Sequence, residues 1–183
     1  MTRRLFPHPD SPASPVELIE VDVMRAQNGE VTFFFIAFGK TSDVRLPLAG
    51  EPRRADELWR HTCFEAFFAP LAGEFYYEFN FSPSRAWAAY RFDSYRTGMA
   101  RPEIEAPRVQ SKSLRSKFGV TAALGPKSLP DLMPLESWRI GLSAVIEAKD
   151  GTRSYWALTH PPGKPDFHHP DCFAAELAPA AFL

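Results

Sequence analysis

His61-Thr62-Cys63-Phe64-Glu65-Ala66-Phe67-Phe68, Phe75-Tyr76-Tyr77-Glu78-Phe79-Asn80-Phe81 and Arg85-Ala86-Trp87-Ala88-Ala89-Tyr90-Arg91-Phe92-Asp93 decide the fold. Each run is rich in aromatic residues. The breakers between them, Pro70-Leu71-Ala72-Gly73 and Ser82-Pro83-Ser84, are too short for anything but turns. Short aromatic runs punctuated in this way predict a three-strand meander.

Side chains alternate across a strand. Phe64, Ala66 and Phe68 of the first run and Phe75, Tyr77, Phe79 and Phe81 of the second therefore share an apolar face. Cys63, Glu65, Phe67, Tyr76, Glu78 and Asn80 point the other way. In the third run Arg85, Trp87, Ala89 and Arg91 alternate with Ala86, Ala88, Tyr90 and Phe92. The turns suggest a register that sets Glu65 beside Glu78, Asn80 beside Trp87, and Arg91 near Tyr76. On that register one face is core, and the other gathers Glu65, Tyr76, Glu78, Asn80, Arg85, Trp87 and Arg91, with His61 close by. Adjacent carboxylates repel unless cations separate them, which makes Arg85 and Arg91 the expected counter-ions.

Outward from the meander, Val16–Met24 and Val31–Phe38 flank Asn28-Gly29, a strong hairpin signal. Val44–Leu48, Lys117–Leu124, Trp138–Ala148 and Arg153–Thr159 are further strand candidates, the last two joined by Asp150-Gly151. Residues 49–58 read as a loop or helical turn, and 97–113 as a loop or edge segment. Residues 1–15 read as a flexible proline-rich arm, and 16–183 as one domain. Alanine favours helix, so the alanine-rich Ala174–Ala181 is a candidate terminal helix. The expected fold is all-β: a two-sheet antiparallel sandwich of jelly-roll or immunoglobulin type, with about nine to ten strands.

Composition narrows the function. The 183 residues include 18 Pro and 16 Phe and carry a net charge of −1, so no global field draws nucleic acid or an anionic membrane. Neither a secretory signal nor a run of about 20 apolar residues is present. A cytoplasmic location is expected, with Cys63 and Cys172 as free thiols. Phosphate-binding, dinucleotide, nucleophile-elbow and zinc-protease signatures are absent. The tail holds His160, Asp166, His168, His169, Asp171 and Cys172, but adjacent histidines diverge on a strand and the spacing fits no closed zinc site. These groups are read as pinning a proline-rich loop. No cofactor, metal or catalytic residue is assigned.

The polar aromatic face suits a saccharide, whose hydroxyls want bidentate partners and whose apolar ring face packs on an aromatic. A solvated face laced with ion pairs is the plain alternative. Glu65 and Glu78 as a glycosidase acid–base pair is another.

Leu58–Phe68, Tyr76–Pro83 and Trp87 with Tyr90–Arg96, together with the His160-Pro161 and Asp166–Phe173 ending, resemble the bacterial DOMON-like domains, relatives of family-9 carbohydrate-binding modules. The resemblance implies a jelly-roll sandwich that binds sugar or haem. By residue type it places Glu78, Asn80, Trp87 and Arg91 at the ligand. Where related modules carry an acidic residue near a bound cation, this chain has His61-Thr62. For haem, Met24, Met99 or Met133 would have to pair with a histidine. The expectation is a non-catalytic module that binds a small saccharide. The alternatives are a haem domain, a protein-interaction or structural domain that could form a homodimer, or a glycosidase.

Overall fold

Strands form where aromatic and β-branched residues alternate between breakers. The computed structural model describes residues 2–179. In chain order the strands are β1 (Thr2–Pro7), β2 (Val16–Arg25), β3 (Val31–Gly39), β4 (Arg53–Arg54), β5 (Cys63–Pro70), β6 (Tyr76–Phe81), β7 (Ala86–Phe92), β8 (Arg108–Ser113), β9 (Lys117–Leu124), β10 (Trp138–Glu147), β11 (Arg153–Ala157) and β12 (Ala175–Leu177). Single 3-10 turns lie at Thr41–Asp43, Leu58–Arg60 and Pro170–Cys172. The alanine-rich ending supplies β12 rather than a helix over its described part. Residues 180–183 lie outside the described residues. No helix among the described residues is long and apolar enough to cross a membrane.

The expected two-sheet sandwich of nine to ten strands is not what forms. The twelve strands make one continuous, curled sheet in the order β4-β7-β6-β5-β10-β11-β1-β2-β3-β9-β8, with β12 beside β10. It is mixed, because β4 pairs β7 in parallel. Continuity comes from β1. Its first residues pair with β2, Leu5 opposite Ile19, and its last pair with β11, Phe6 opposite Ala157. The arm expected over residues 1–15 is therefore a central strand over Thr2–Pro7. The prolines that made it read as loose begin only at Pro7, and Leu5 anchors it in the core at 0% exposure.

The curl brings two wings face to face. Phe33 and Phe35 of β3 meet Phe68 and Phe64 of β5, with ring centroids 5.7 and 5.1 Å apart. Ile19, Val21, Val120 and Ala122 from one wing and Phe79, Phe81, Leu142 and Ala144 from the other complete the core. Glycine closes the predicted hairpins: Gly29 (φ 84°) joins β2 to β3, and Gly151 (φ 90°) joins β10 to β11.

One wing is buried on both faces. Every residue from Cys63 to Ala69 and from Tyr76 to Phe81 is buried. The chain after β11 passes back over the outer face of β5, β6, β7 and β10 and adds Phe167 and Phe173 to a second apolar cluster with Phe67, Tyr76, Tyr90 and Phe92. Gly141 permits that passage, since a Cβ there would stand 3.1 Å from the Cys172 carbonyl oxygen.

The meander departs from the expected register at both turns: by two residues between β5 and β6, which leaves the faces as expected, and by one between β6 and β7. β6 and β7 pair Phe81 with Trp87 and Tyr77 with Arg91. Arg85 adopts a left-handed conformation (φ 72°), and the Ser82 N–H bonds the Ala86 carbonyl at 2.9 Å. The loop is one residue longer than Ser82-Pro83-Ser84 alone implies, and a one-residue slip exchanges the faces of a strand. Trp87 thus enters the core, and Tyr90 and Phe92 join Glu78 on the outer face.

Candidate functional site

The outer face of the doubly buried wing is not fully covered. Between the returning chain and the Leu58–Arg60 turn lies a cleft of about 720 Å³. Its floor is built from alternate residues of neighbouring strands: Glu65 of β5, Glu78 of β6, Tyr90 and Phe92 of β7, and Val145 of β10. Trp59, Tyr155, Phe167 and Met99 form the walls, and Arg60, Arg96, Arg153, Pro165 and His168 complete the lining. Trp59 stands at the mouth, 40% exposed, with its ring edge-on to Tyr90 at 6.0 Å.

Two carboxyl groups are held at the bottom. Glu65 and Glu78 are 2% and 5% exposed. Glu65 opposes Asn80, and Glu78 opposes Phe67. The two acids are thus diagonal neighbours on one face rather than direct partners. Ser143 donates to Glu65 at 2.9 Å, and Asn80 donates to Glu78 at 2.7 Å. The Cys63 thiol backs Asn80 at 3.6 Å. Burial pushes the pKa of both acids up; the charge of Glu78 raises Glu65 further, while Ser143, Asn80 and Arg96 oppose the shifts. Two neighbouring carboxyl groups in a dry site resist both being ionised at once.

His168 closes one end. Its ring packs edge-on against Phe67, Tyr76 and Phe92. Tyr76 Oη lies 2.8 Å from its Nδ1, and Nε2 stands 3.7 Å from Glu78. Burial, reinforced by the charge of Arg96, lowers its pKa to about 4 against the opposing pull of Asp166. His168 is therefore neutral at pH 7, and its Nδ1 accepts the hydrogen bond of the Tyr76 hydroxyl. Arg96 is held by Asp166 at 2.7 Å, and Tyr95 also donates to Asp166. Three non-glycine residues have positive φ among the described residues, and two border this cleft: Arg96 itself (φ 53°), and Glu57 (φ 57°), which begins the turn that carries Trp59 and Arg60. Backbone strain collected at a cleft is a mark of positioned function.

The expected site residues divide. Glu65 and Glu78 are the floor. Asn80 and Tyr76 stand behind it, each bonded to a group that lines it. His61 lies just outside, 64% exposed, with Nδ1 2.7 Å from buried Glu147. Three are elsewhere. Trp87 is in the core with Arg54 over its ring at 5.3 Å. Arg91 lies on the opposite face and pairs with Asp131 at 2.6 Å and Asp93 at 2.5 Å. Arg85 is in the turn, its Nε 3.4 Å from the Val109 carbonyl. None of these arginines neutralises the acid pair. The residues that replace them, Trp59, Arg60, Tyr90, Arg96, Arg153, Tyr155 and His168, come from five separate segments. Only Tyr90 and Arg96 were within reach of the meander pattern.

The haem alternative is not matched by the donor set. Met24 and Met133 are far more exposed than an axial ligand requires, at 60% and 61%. Met99 does share the cleft with His168, but it is 58% exposed as well. A separate groove of about 480 Å³ crosses the outer face of β3, β8 and β9, where Phe34 and Leu114 are exposed. No buried polar side chain lines it.

No known family model matches the chain, and no curated protein does. Solved structures do. A protein from Bacteroides uniformis ATCC 8492, provisionally named as carbohydrate-binding, superposes with a TM-score of 0.67 at 12% identity, over 94% of this chain and 83% of its own. A family-9 carbohydrate-binding module (CBM9) from Caldicellulosiruptor kristjanssonii in complex with glucose has a TM-score of 0.51 at 12% identity, over 84% and 72% of the two chains. The CBM9 structure from the same organism in complex with cellotriose has 0.51 at 11%, over 84% and 70%. At such identities the likeness is one of fold.

Proposed function

We propose that this protein binds a saccharide in the cleft above Glu65 and Glu78. The observation that carries the reading is the pair of buried carboxyl groups at the bottom of an aromatic-walled cleft. Burying two acids costs stability that a purely structural sheet face has no reason to spend. Each acid accepts one side-chain hydrogen bond and keeps further acceptor sites for ligand hydroxyls. Trp59, Tyr90 and Tyr155 offer ring surfaces to the apolar face of a sugar. The fold shared with proteins solved on glucose and cellotriose supports the same ligand class.

The reading is of binding without turnover. A thermal-shift and calorimetric screen of mono- and oligosaccharides tests it, because a ligand of the folded state raises apparent stability. A saccharide-dependent shift that disappears in Trp59→Ala, and weakens in Glu78→Gln, is expected. No shift with any saccharide overturns the proposal. Release of the leaving group from an activated glycoside would overturn the non-catalytic part of it.

A further inference from the structure

We infer that the saccharide held in this cleft is acidic, its carboxylate gripped by Arg60 and Arg153; this rests on the saccharide reading above. Three arginines line the cleft, and the acids that line it with them are the two buried at its floor. Burial raises the pKa of both acids, so the floor offers less negative charge than its composition implies. His168 adds none. The cleft is thus a local cationic feature in a chain whose net charge is −1.

The cationic side chains are not equally engaged. Arg96 is committed to Asp166. Among the described residues Arg60 pairs only with solvent-exposed Glu57, one turn away at 2.9 Å. Such a pair is readily exchanged for a better one. The Arg153 guanidinium has no ion-pair or hydrogen-bond partner among the described residues. In register Arg153 stands opposite Glu147, the acid best placed to neutralise it. Glu147 is instead taken by His61 at 2.7 Å and Arg45 at 3.1 Å. Since His61 follows Arg60 in the chain, these contacts bring Arg60 and Arg153 to the same end of the cleft. Guanidinium groups match a carboxylate with paired, charge-assisted hydrogen bonds. A neutral sugar would leave that end unmatched.

Isothermal titration of the whole chain with glucose and glucuronate, which differ only in the carboxylate, tests the inference. Galactose with galacturonate and inorganic sulfate serve as further arms. The uronates are expected to bind at least about tenfold tighter than their neutral counterparts. That preference should shrink as salt is raised. The double variant Arg60→Gln/Arg153→Gln should lose the preference while keeping its thermal midpoint without ligand, and Arg153→Lys should keep part of the preference. Equal affinities for acid and neutral sugars, or a preference that survives in the double variant, overturn the inference and leave the saccharide reading standing. Sulfate binding as tightly as glucuronate overturns it in favour of a plain anion site. Silence with every sugar overturns both.

Discussion

The two wings of the sheet are built from similar strands and treat their outer faces differently. On β2, β3, β8 and β9 the outer face meets solvent. Phe34 is 36% exposed there, and the charged residues stay at the surface. On β5, β6, β7 and β10 the outer face is roofed by the returning chain, so residues of the same polar–apolar alternation end up inside. Glu65, Glu78, Asn80 and Ser143 are all buried there. A second cover turns ordinary outward-facing polar positions into a site. It removes water from the acids, raises their pKa values and leaves them one opening.

That contrast can be broken most forcefully at a phenylalanine. Phe67→Ala removes a ring that touches Tyr76, His168 and Phe173. It should cost about 3–5 kcal/mol in urea unfolding. Phe34→Ala, on the solvent-facing wing, should change stability by no more than about 0.5 kcal/mol. Comparable losses at both positions would mean that the roof contributes little.

The two tryptophans of the meander region sharpen the comparison next. Trp87→Ala, in the core, should destabilise the protein by about 3–5 kcal/mol. Trp59→Ala should leave the denaturation midpoint nearly unchanged and abolish the saccharide-induced thermal shift. The reverse pattern would restore the register in which Trp87 faces the ligand.

Proton linkage should have opposite signs on the two faces. Glu65 and Glu78 are raised by burial, so the folded protein keeps a proton that the unfolded chain gives up. Their contribution is full below the ordinary Glu value of about 4.3 and is lost as pH rises through the raised values. Asp131 is held below its ordinary value by the Tyr77 hydroxyl and Arg91. Its contribution is present above about 3.9 and is lost as pH falls through the lowered value. It is the smaller of the two, because that carboxylate is partly exposed. Denaturation midpoints across pH should therefore fall on the alkaline side in the parent and flatten there in Glu78→Gln, while Asp131→Asn alters only the acid limb.

The smallest effect concerns the turn that set the register. Asn tolerates the left-handed conformation better than Arg. Arg85→Asn should stabilise by less than about 1 kcal/mol, read as a small rise in denaturation midpoint.

Much of the core was legible in the sequence. Phe64, Ala66 and Phe68 against Tyr77, Phe79 and Phe81 follow from alternation alone, and Asn28-Gly29 and Asp150-Gly151 marked their hairpins. Glu65 and Glu78 were legible as a pair because a two-residue shift in register keeps both on one face. Trp87 and Arg91 were misplaced because the residue that lengthens their turn is an arginine, not the glycine that usually announces positive φ. Trp59, Arg153, Tyr155 and His168 carry no local signal of convergence. They reach the cleft through pairings between distant parts of the chain, such as Val145 with Cys63 and with Tyr155. The single curled sheet was hidden for the same reason: what makes it continuous is the partnership of β1 with two strands far apart in sequence.

That partnership gives the first strand a protective duty. It satisfies the facing backbone groups of β2 and β11 at once. Deleting Thr2–Pro7 would bare two strand edges in one step, one on each side of the gap. Unpaired edges are templates for other chains. A shortened protein should therefore fail first by self-association, with its cleft intact and Leu5 the core side chain that the deletion removes.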